Sequence, residues 1–253
     1  RGYIDGLVSV ITPVYKTERF VEQSIRSVLS QTYRNIEIVL VDDCSPDGSA
    51  DIISKLMTQY SNIIYEKLEK NCGAAVARNH ALKIAKGRYV AFLDSDDLWL
   101  PDKIERQLSH MKQKNVFFIY GAIEIIDEQN NVIKGKRRIP AHINYNGLLK
   151  NTAIATSTVI IDRYITGDFE MPLRRSGQDY ATWLMLLRNG KEAYGVTDTV
   201  TRYRKTEGSL SSKKMKNYRK VYDIQVNDEG IKPLNAGINC LFYIFHAVCK
   251  YFI

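Results

Sequence analysis

Three carboxylates fall within four residues, at Asp94, Asp96 and Asp97, directly after the charge-free run Tyr89-Val90-Ala91-Phe92-Leu93. Such a run suits a strand buried on both faces of a parallel sheet. The carboxylates then stand at the sheet's C-terminal edge, where open α/β sheets bind their ligands. Their mutual repulsion is tolerable in water, and a divalent cation turns it into attraction. A solvated acidic turn, with an Asp capping the next helix, explains the same triplet. The triplet alone leaves both readings standing.

Three further constellations carry candidate chemistry. Asp42-Asp43 closes a second apolar run, and a carboxylate there can accept from a ribose or from the N–H of a uracil-like base. Tyr15, just past the first strand, offers a ring to stack on a base, although surface tyrosines are common. In Asn71-Cys-Gly-Ala-Ala-Val-Ala-Arg-Asn79 the small residues let a helix pack closely, while Arg78 can reach phosphate or base oxygens. Asp179, in Gly177-Gln-Asp-Tyr-Ala-Thr-Trp183, stands at a helix start, where the dipole favours a carboxylate. Facing a crevice, it could act as a general base.

The elements that must position these groups are read from hydrophobic period and turn residues. Residues 7–12 form a β-branched strand stopped by Pro13, followed by a helix over 18–30. Strands at 35–41 and 63–65 flank a helix over 50–60, and a helix over 74–86 ends at Gly87 as its cap. The acidic strand is fourth. Alternating β and α at short spacing predicts a parallel sheet with right-handed crossovers. There is no G-x-G-x-x-G after the first strand and no G-x-x-x-x-G-K-[ST], which counts against dinucleotide oxidoreductases and P-loop NTPases. Beyond Pro101 come a helix over 102–114, a strand at 116–121, a hairpin over 123–132, a strand at 156–161, a helix over 178–188 and a strand at 196–203.

The 253 residues, 45% of them hydrophobic and 25% charged, can bury a full core, and the net charge is +8. Eight basic residues lie between Arg202 and Lys220 against Glu207 alone, a run that suits a polyanionic partner or a solvated face. No nucleic-acid module is present, so nucleic acid is not an expected partner. Four cysteines without CxxC or zinc spacing, and no signal-peptide pattern from Arg1, set the expectation of a cytoplasmic protein.

In their order, Val10-Ile-Thr-Pro-Val-Tyr15, Val41-Asp-Asp43, Asn71-Cys-Gly…Ala77-Arg-Asn79, Gly87 to Asp97, Gln178-Asp179…Trp183 and Tyr203-Arg204…Ser209-Leu-Ser211 resemble the inverting family 2 glycosyltransferases. The resemblance implies a GT-A fold: a Rossmann-like nucleotide-sugar half over residues 1–100, an acceptor half over 101–205, and a basic segment with an apolar helix over 206–253. It also implies that Pro13, Tyr15, Asp43, Arg78, Asp94 and Ser95 bind nucleotide, with Asp96 and Asp94 on Mn²⁺ or Mg²⁺. Asp179 is then the catalytic base, Gln178 and Trp183 line the sugar and acceptor pocket, and Arg204 and Ser209 belong to a lid over the diphosphate. Two positions depart from the family pattern: Gln178 stands where a Glu is usual, and Thr206 where many relatives have His.

The implied reaction is a metal-assisted single displacement from a UDP-sugar to a saccharide acceptor, expected to be lipid-linked, in bacterial surface polysaccharide synthesis. A silent nucleotide-sugar-binding relative and a sugar nucleotidyltransferase are the rival classes. Residues 238–253 place Ile238, Leu241, Phe242, Ile244, Phe245, Val248 and Phe252 along one helical stripe too short to span a bilayer. That stripe suits an anionic membrane surface, the protein core or a second subunit.

Overall fold

The computed structural model describes residues 2–206 and 214–252. Among the described residues ten strands, numbered β1 to β10 in chain order, form one mixed sheet in the order β3-β2-β1-β4-β9-β6-β10-β5, with β7 beside β6 and β8 beside β10. In the first half β1 (Ile4–Val14), α1 (Val21–Leu29), β2 (Ile36–Asp42), α2 (Ser49–Met57), β3 (Ile63–Lys67), α3 (Ala74–Ile84) and β4 (Gly87–Phe92) alternate. All pairings among these strands are parallel, as the β/α alternation predicts. Alternate residues of one strand feed opposite cores: Val8 and Val10 pack with Ile25, Ile53 and Ile104 on one face, and Ile11 packs with Ala77 and Trp183 on the other.

The second half adds β5 (Leu98–Trp99), α4 (Lys103–Lys114), β6 (Phe118–Ile126), β7 (Val132–Lys134), β8 (His142–Asn144), α5 (Tyr145–Lys150), β9 (Ile160–Asp162), α6 (Arg163–Thr166), α7 (Gln178–Leu187), β10 (Glu192–Arg204), α8 (Lys214–Asp223) and α9 (Pro233–Phe252). A single 3₁₀ turn, Thr156–Thr158, precedes β9, and a π-type turn, Ile224–Asp228, follows α8. Strand β9 is antiparallel to both β4 and β6, whereas β6 and β10 are parallel to each other. An antiparallel strand brings its N-terminal flank to the edge where parallel strands end. The 156–158 turn therefore arrives beside the residues that follow β1, β4, β6 and β10, and this edge collects the candidate chemistry.

Several boundaries differ from the sequence expectation for identifiable reasons. Strand β1 runs through Pro13, which pairs with Val41. Pairing with β4 stops at Ile11, so Pro13 faces no strand on that side and its missing N–H leaves no gap in a ladder there. Gly87 does not cap α3. It opens β4, where an added Cβ would lie 2.5 Å from the Leu7 carbonyl oxygen and 2.7 Å from Ser9 Oγ. Residues 156–158 form a helical turn, not the start of a strand. The hairpin forms as expected from β6 and β7, closed by Asp127, whose carboxylate accepts from the backbone of Gln129 and Asn131.

Substituting Gly87→Ala forces a methyl group into backbone that cannot retreat. A loss of about 1–3 kcal/mol of stability is expected, read as a lower denaturant midpoint at unchanged slope. An unchanged midpoint would contradict the close approach.

Candidate active site

The turn after β4 divides its three carboxylates among three environments. Asp94 forms an ion pair with Arg78 at 2.5 Å. The Arg78 side chain is nearly buried, and its Nε and Nη1 are buried without a hydrogen-bond partner in the described residues. Two unsatisfied guanidinium donors are costly in a protein interior, and they suit a ligand bearing acceptor oxygens. Asp96 has no ion-pair partner among the described contacts. Burial, and then the charge of Asp94, push its carboxyl up to about 6. Asp97 is fully buried, and burial followed by the charges of Asp96 and Asp94 raises its carboxyl well above the usual range.

Asp97 is thus not a ligand candidate but an anchor. Its Oδ2 accepts from Ser157 Oγ at 2.6 Å and its Oδ1 from the backbone N–H of Arg204 at 2.9 Å. Ser157 Oγ in turn accepts from the N–H of Asp94 at 3.1 Å. The Ser157 carbonyl accepts from Trp99 Nε1 and Thr201 Oγ1. One serine on the 156–158 turn therefore fixes both ends of the acidic turn.

The preceding residue reaches the other candidate. Thr156 Oγ1 donates to Asp179 Oδ2 at 3.0 Å. Asp179 sits in the first turn of α7, introduced by Gly177 at φ 78°, a left-handed conformation that favours glycine. A Cβ at Gly177 would also meet the side chains of Ile224 and Lys220 at 2.8 Å. Half-buried Gln178 keeps a buried side-chain carbonyl with no partner among the described residues.

Of the other expected residues, Tyr15 and Asp96 reach a common cavity, whereas Pro13, Asp43 and Ser95 are not among those that line it. Tyr15, Lys16, Pro46, Asp96, Glu128 and Thr206 line a cavity of about 550 Å³ outside the sheet edge. Tyr15 is 41% exposed there, and Pro13 lies one residue inside the end of β1. Asp43 is buried, and its two oxygens accept from the N–H groups of Cys72 at 2.6 Å and Gly73 at 2.8 Å, so it first holds the loop entering α3. Ser95 is buried in the acidic turn.

Two expectations need correction. Trp183 does not line an open pocket. It is 1% exposed and packs edge-on against Phe92 and Phe118, with ring centroids at 5.4 and 5.2 Å. Arg204 does not belong to a lid. It is equally buried, and its guanidinium donates to the carbonyls of Asp96 and Asp127 and to Gln23 Oε1 while lying over the Phe20 ring. Ser209, the other lid candidate, lies outside the described residues. The residues that sequence reasoning missed are Thr156 and Ser157, and no local signal marks them, because their roles come from partners in other strands.

Among the described residues no three of His, Cys, Asp and Glu converge as metal ligands. Asp96, with the second oxygen of Asp94, offers hard oxygen donors, and Asp96 has no ion-pair partner among the described contacts. That set fits a hard cation that draws its other ligands from a substrate's phosphates and water. The folded-state pKa of Asp96 lies above the unfolded value of about 4. The fold therefore holds this proton more tightly than the unfolded chain, and stability falls as pH rises from about 4 through about 6. Asp96→Asn should raise metal-free stability at about pH 7 by on the order of 1–3 kcal/mol, with the gain gone near pH 4. Denaturant melts at both pH values check this, and an unchanged or lowered stability near pH 7 would contradict it.

Comparison with known proteins adds four findings. The family model of glycosyl transferase family 2 matches residues 9–171. The putative teichuronic acid biosynthesis glycosyltransferase TuaG of Bacillus subtilis (strain 168) is 41% identical over 244 residues, 96% of this chain and 97% of its own. The UDP-Glc:alpha-D-GlcNAc-diphosphoundecaprenol beta-1,3-glucosyltransferase WfaP of Escherichia coli is 43% identical over 237 residues, 94% of this chain and 92% of its own. Among solved structures, the mannosyltransferase PcManGT of Pyrobaculum calidifontis, in complex with GDP-Man and Mn²⁺, superposes with a TM-score of 0.69 at 18% identity, covering 92% of this chain and 69% of that one. At that identity the likeness is one of fold, and the fold is GT-A.

Proposed function

The chain belongs to glycosyl transferase family 2, and on that premise we propose that it moves a sugar from a UDP-sugar to a hydroxyl of a lipid-linked saccharide, with inversion, during assembly of a bacterial surface polysaccharide. One observation carries the reading: two candidate carboxylates are tied to one turn at the sheet edge, Asp96 lying in the acidic turn that Ser157 holds at both ends and Asp179 held by Thr156. The name of the WfaP relative, similar along almost its whole length, supports the UDP donor and the diphosphoundecaprenol-linked acceptor.

The residues divide the work. Tyr15 stacks on the base at the mouth of the cavity, and Asp43 has a lone pair left for a base N–H after its two backbone bonds. Arg78 offers its two unsatisfied nitrogens to nucleotide oxygens. Asp96 and Asp94 would hold a divalent cation, which when bound supplies Lewis-acid neutralisation of the diphosphate. Asp179 takes the proton of the acceptor hydroxyl as that oxygen bonds to the anomeric carbon. The bond from that carbon to the diphosphate oxygen breaks on the opposite face, UDP leaves with the electron pair, and the configuration inverts once. Gln178, beside the base, presents its amide to the sugar or acceptor.

Product analysis tests the proposal. The full chain is incubated with Mn²⁺ or Mg²⁺, a panel of UDP-, GDP- and dTDP-sugars and diphospholipid-linked saccharides. Release of UDP with a glycosylated lipid of inverted configuration is expected, and Asp179→Asn should lower kcat by about 10²–10⁴. Formation of UTP and sugar 1-phosphate when pyrophosphate is added with a UDP-sugar would indicate a nucleotidyltransferase, and tight nucleotide binding with no turnover on any acceptor a binding protein. Either result overturns the reading. Thr156→Val should lower kcat about tenfold at unchanged donor KM, with Thr156→Ser close to wild type. An equal loss in both variants would deny the hydroxyl its positioning role.

A further inference from the structure

Helix α9 has an apolar face that no element among the described residues covers. Leu234, Ile238, Leu241, Phe242 and Phe245 are 44 to 77% exposed, and their spacing places them along one side. The opposite side is packed: Ala236 and Asn239 are buried, Tyr243 meets Tyr218 of α8 edge-on at 5.5 Å, and Cys240 lies against the main core. The helix is therefore docked on the protein by one face and presents the other outward. No helix among the described residues is long and apolar enough to cross a membrane.

The charge around this face selects its partner. Helix α9 contains no acidic residue. The ammonium of exposed Lys150 stands 5.3 Å from the centre of the Phe242 ring. Lys232 is exposed just before the helix, and Arg219 is exposed on α8, which packs beside α9. An apolar stripe flanked by cations matches a bilayer surface of anionic lipids, with the side chains in the acyl boundary and the cations at headgroup level. A second copy docked face to face would bring the same cations together, a like-charge arrangement that weakens the contact.

The position of the face relative to the base gives it a use. Asn239 Nδ2 donates to Gln225 Oε1 at 2.9 Å, and Gln225 Nε2 donates to the Tyr180 hydroxyl at 3.1 Å. All three residues are buried, and Tyr180 follows Asp179 in α7. The helix with the outward apolar face is thus hydrogen-bonded, through one glutamine, to the residue beside the base.

We propose that the Leu234–Phe245 face of α9 seats the protein on an anionic bilayer and so brings Asp179 to the headgroup level at which a lipid-linked acceptor is presented. The docking is a surface property, and only its use rests on the glycosyl-transfer reading. Co-sedimentation of the full chain with phosphatidylglycerol vesicles and with phosphatidylcholine vesicles tests it, with UDP-sugar hydrolysis in vesicle-free buffer measured in parallel. Binding to the anionic vesicles, weakened at least tenfold in Leu241→Glu/Phe245→Glu and also in Lys150→Glu/Lys232→Glu, is the expected result, with both variants melting as the wild type does and hydrolysing donor at its rate. Equal binding by wild type and both variants would overturn the proposal, as would wild type remaining in the supernatant with both vesicles. A dimer dissociated by Leu241→Glu/Phe245→Glu, without vesicle binding, would assign the face to a second copy and equally refute it. Vesicle binding without hydrolysis of any donor would leave the docking standing and count against the glycosyl-transfer reading alone.

Discussion

The site depends on one buried carboxylate. Asp97 lies out of water between strands contributed by different parts of the chain, with Ser157 Oγ on one oxygen and the Arg204 N–H on the other. Burying a carboxylate is costly unless hydrogen bonds compensate it, and here burial itself pushes the group towards its protonated form. The bonds that offset this cost also register β10 and the 156–158 turn against the end of β4. From that register follow the position of Asp94, through Ser157, and of Asp179, through Thr156. Arg204 extends the clamp, tying the Asp96 carbonyl to the β6–β7 turn and to α1.

Adjacent carboxylates in sequence thus perform opposite tasks. Asp96 and Asp97 are neighbours of the same type, yet one is left charged and unpaired near the cavity and the other is sealed beneath it. Nothing in the local sequence distinguishes them, because the partners of Asp97 are 60 and 107 residues away. What was legible lay in local pattern. The uncharged run before Asp94 gives a buried strand, β/α alternation gives the parallel half of the sheet, and Asp127 with its polar neighbours gives the hairpin. The close packing of α3 was legible from the small residues around Arg78, and the structure buries that arginine beside Asp94. Trp183 and Arg204 were misplaced for one reason: residue type alone does not tell a pocket wall from a core. Lys103 shows the same limit, sitting fully buried with its Nζ 4.0 Å from the centre of the Trp99 ring in a helix that reads as amphipathic.

The topology explains why the candidate residues of the two halves reach one edge. A purely parallel sheet would deliver only C-terminal strand ends to the working edge. The antiparallel strand β9 instead delivers the residues that precede it, so a turn from the second half enters the carboxylate cluster made by the first. Helix α7 starts at the same place, and the α8–α9 segment braces it through Gln225. Changes in the C-terminal helices can therefore reach Asp179 through packing without touching the cavity beside Tyr15.

The central claim is that this edge holds a nucleotide diphosphate through a cation at Asp96, separately from the base at Asp179. Calorimetric titration of UDP with and without Mn²⁺ tests it most directly. Binding should tighten at least about tenfold when Mn²⁺ is present, in line with the charge the cation neutralises. That gain should vanish in Asp96→Ala and persist in Asp179→Asn. UDP binding that is equally tight without metal, or a metal gain that survives Asp96→Ala, would contradict the account.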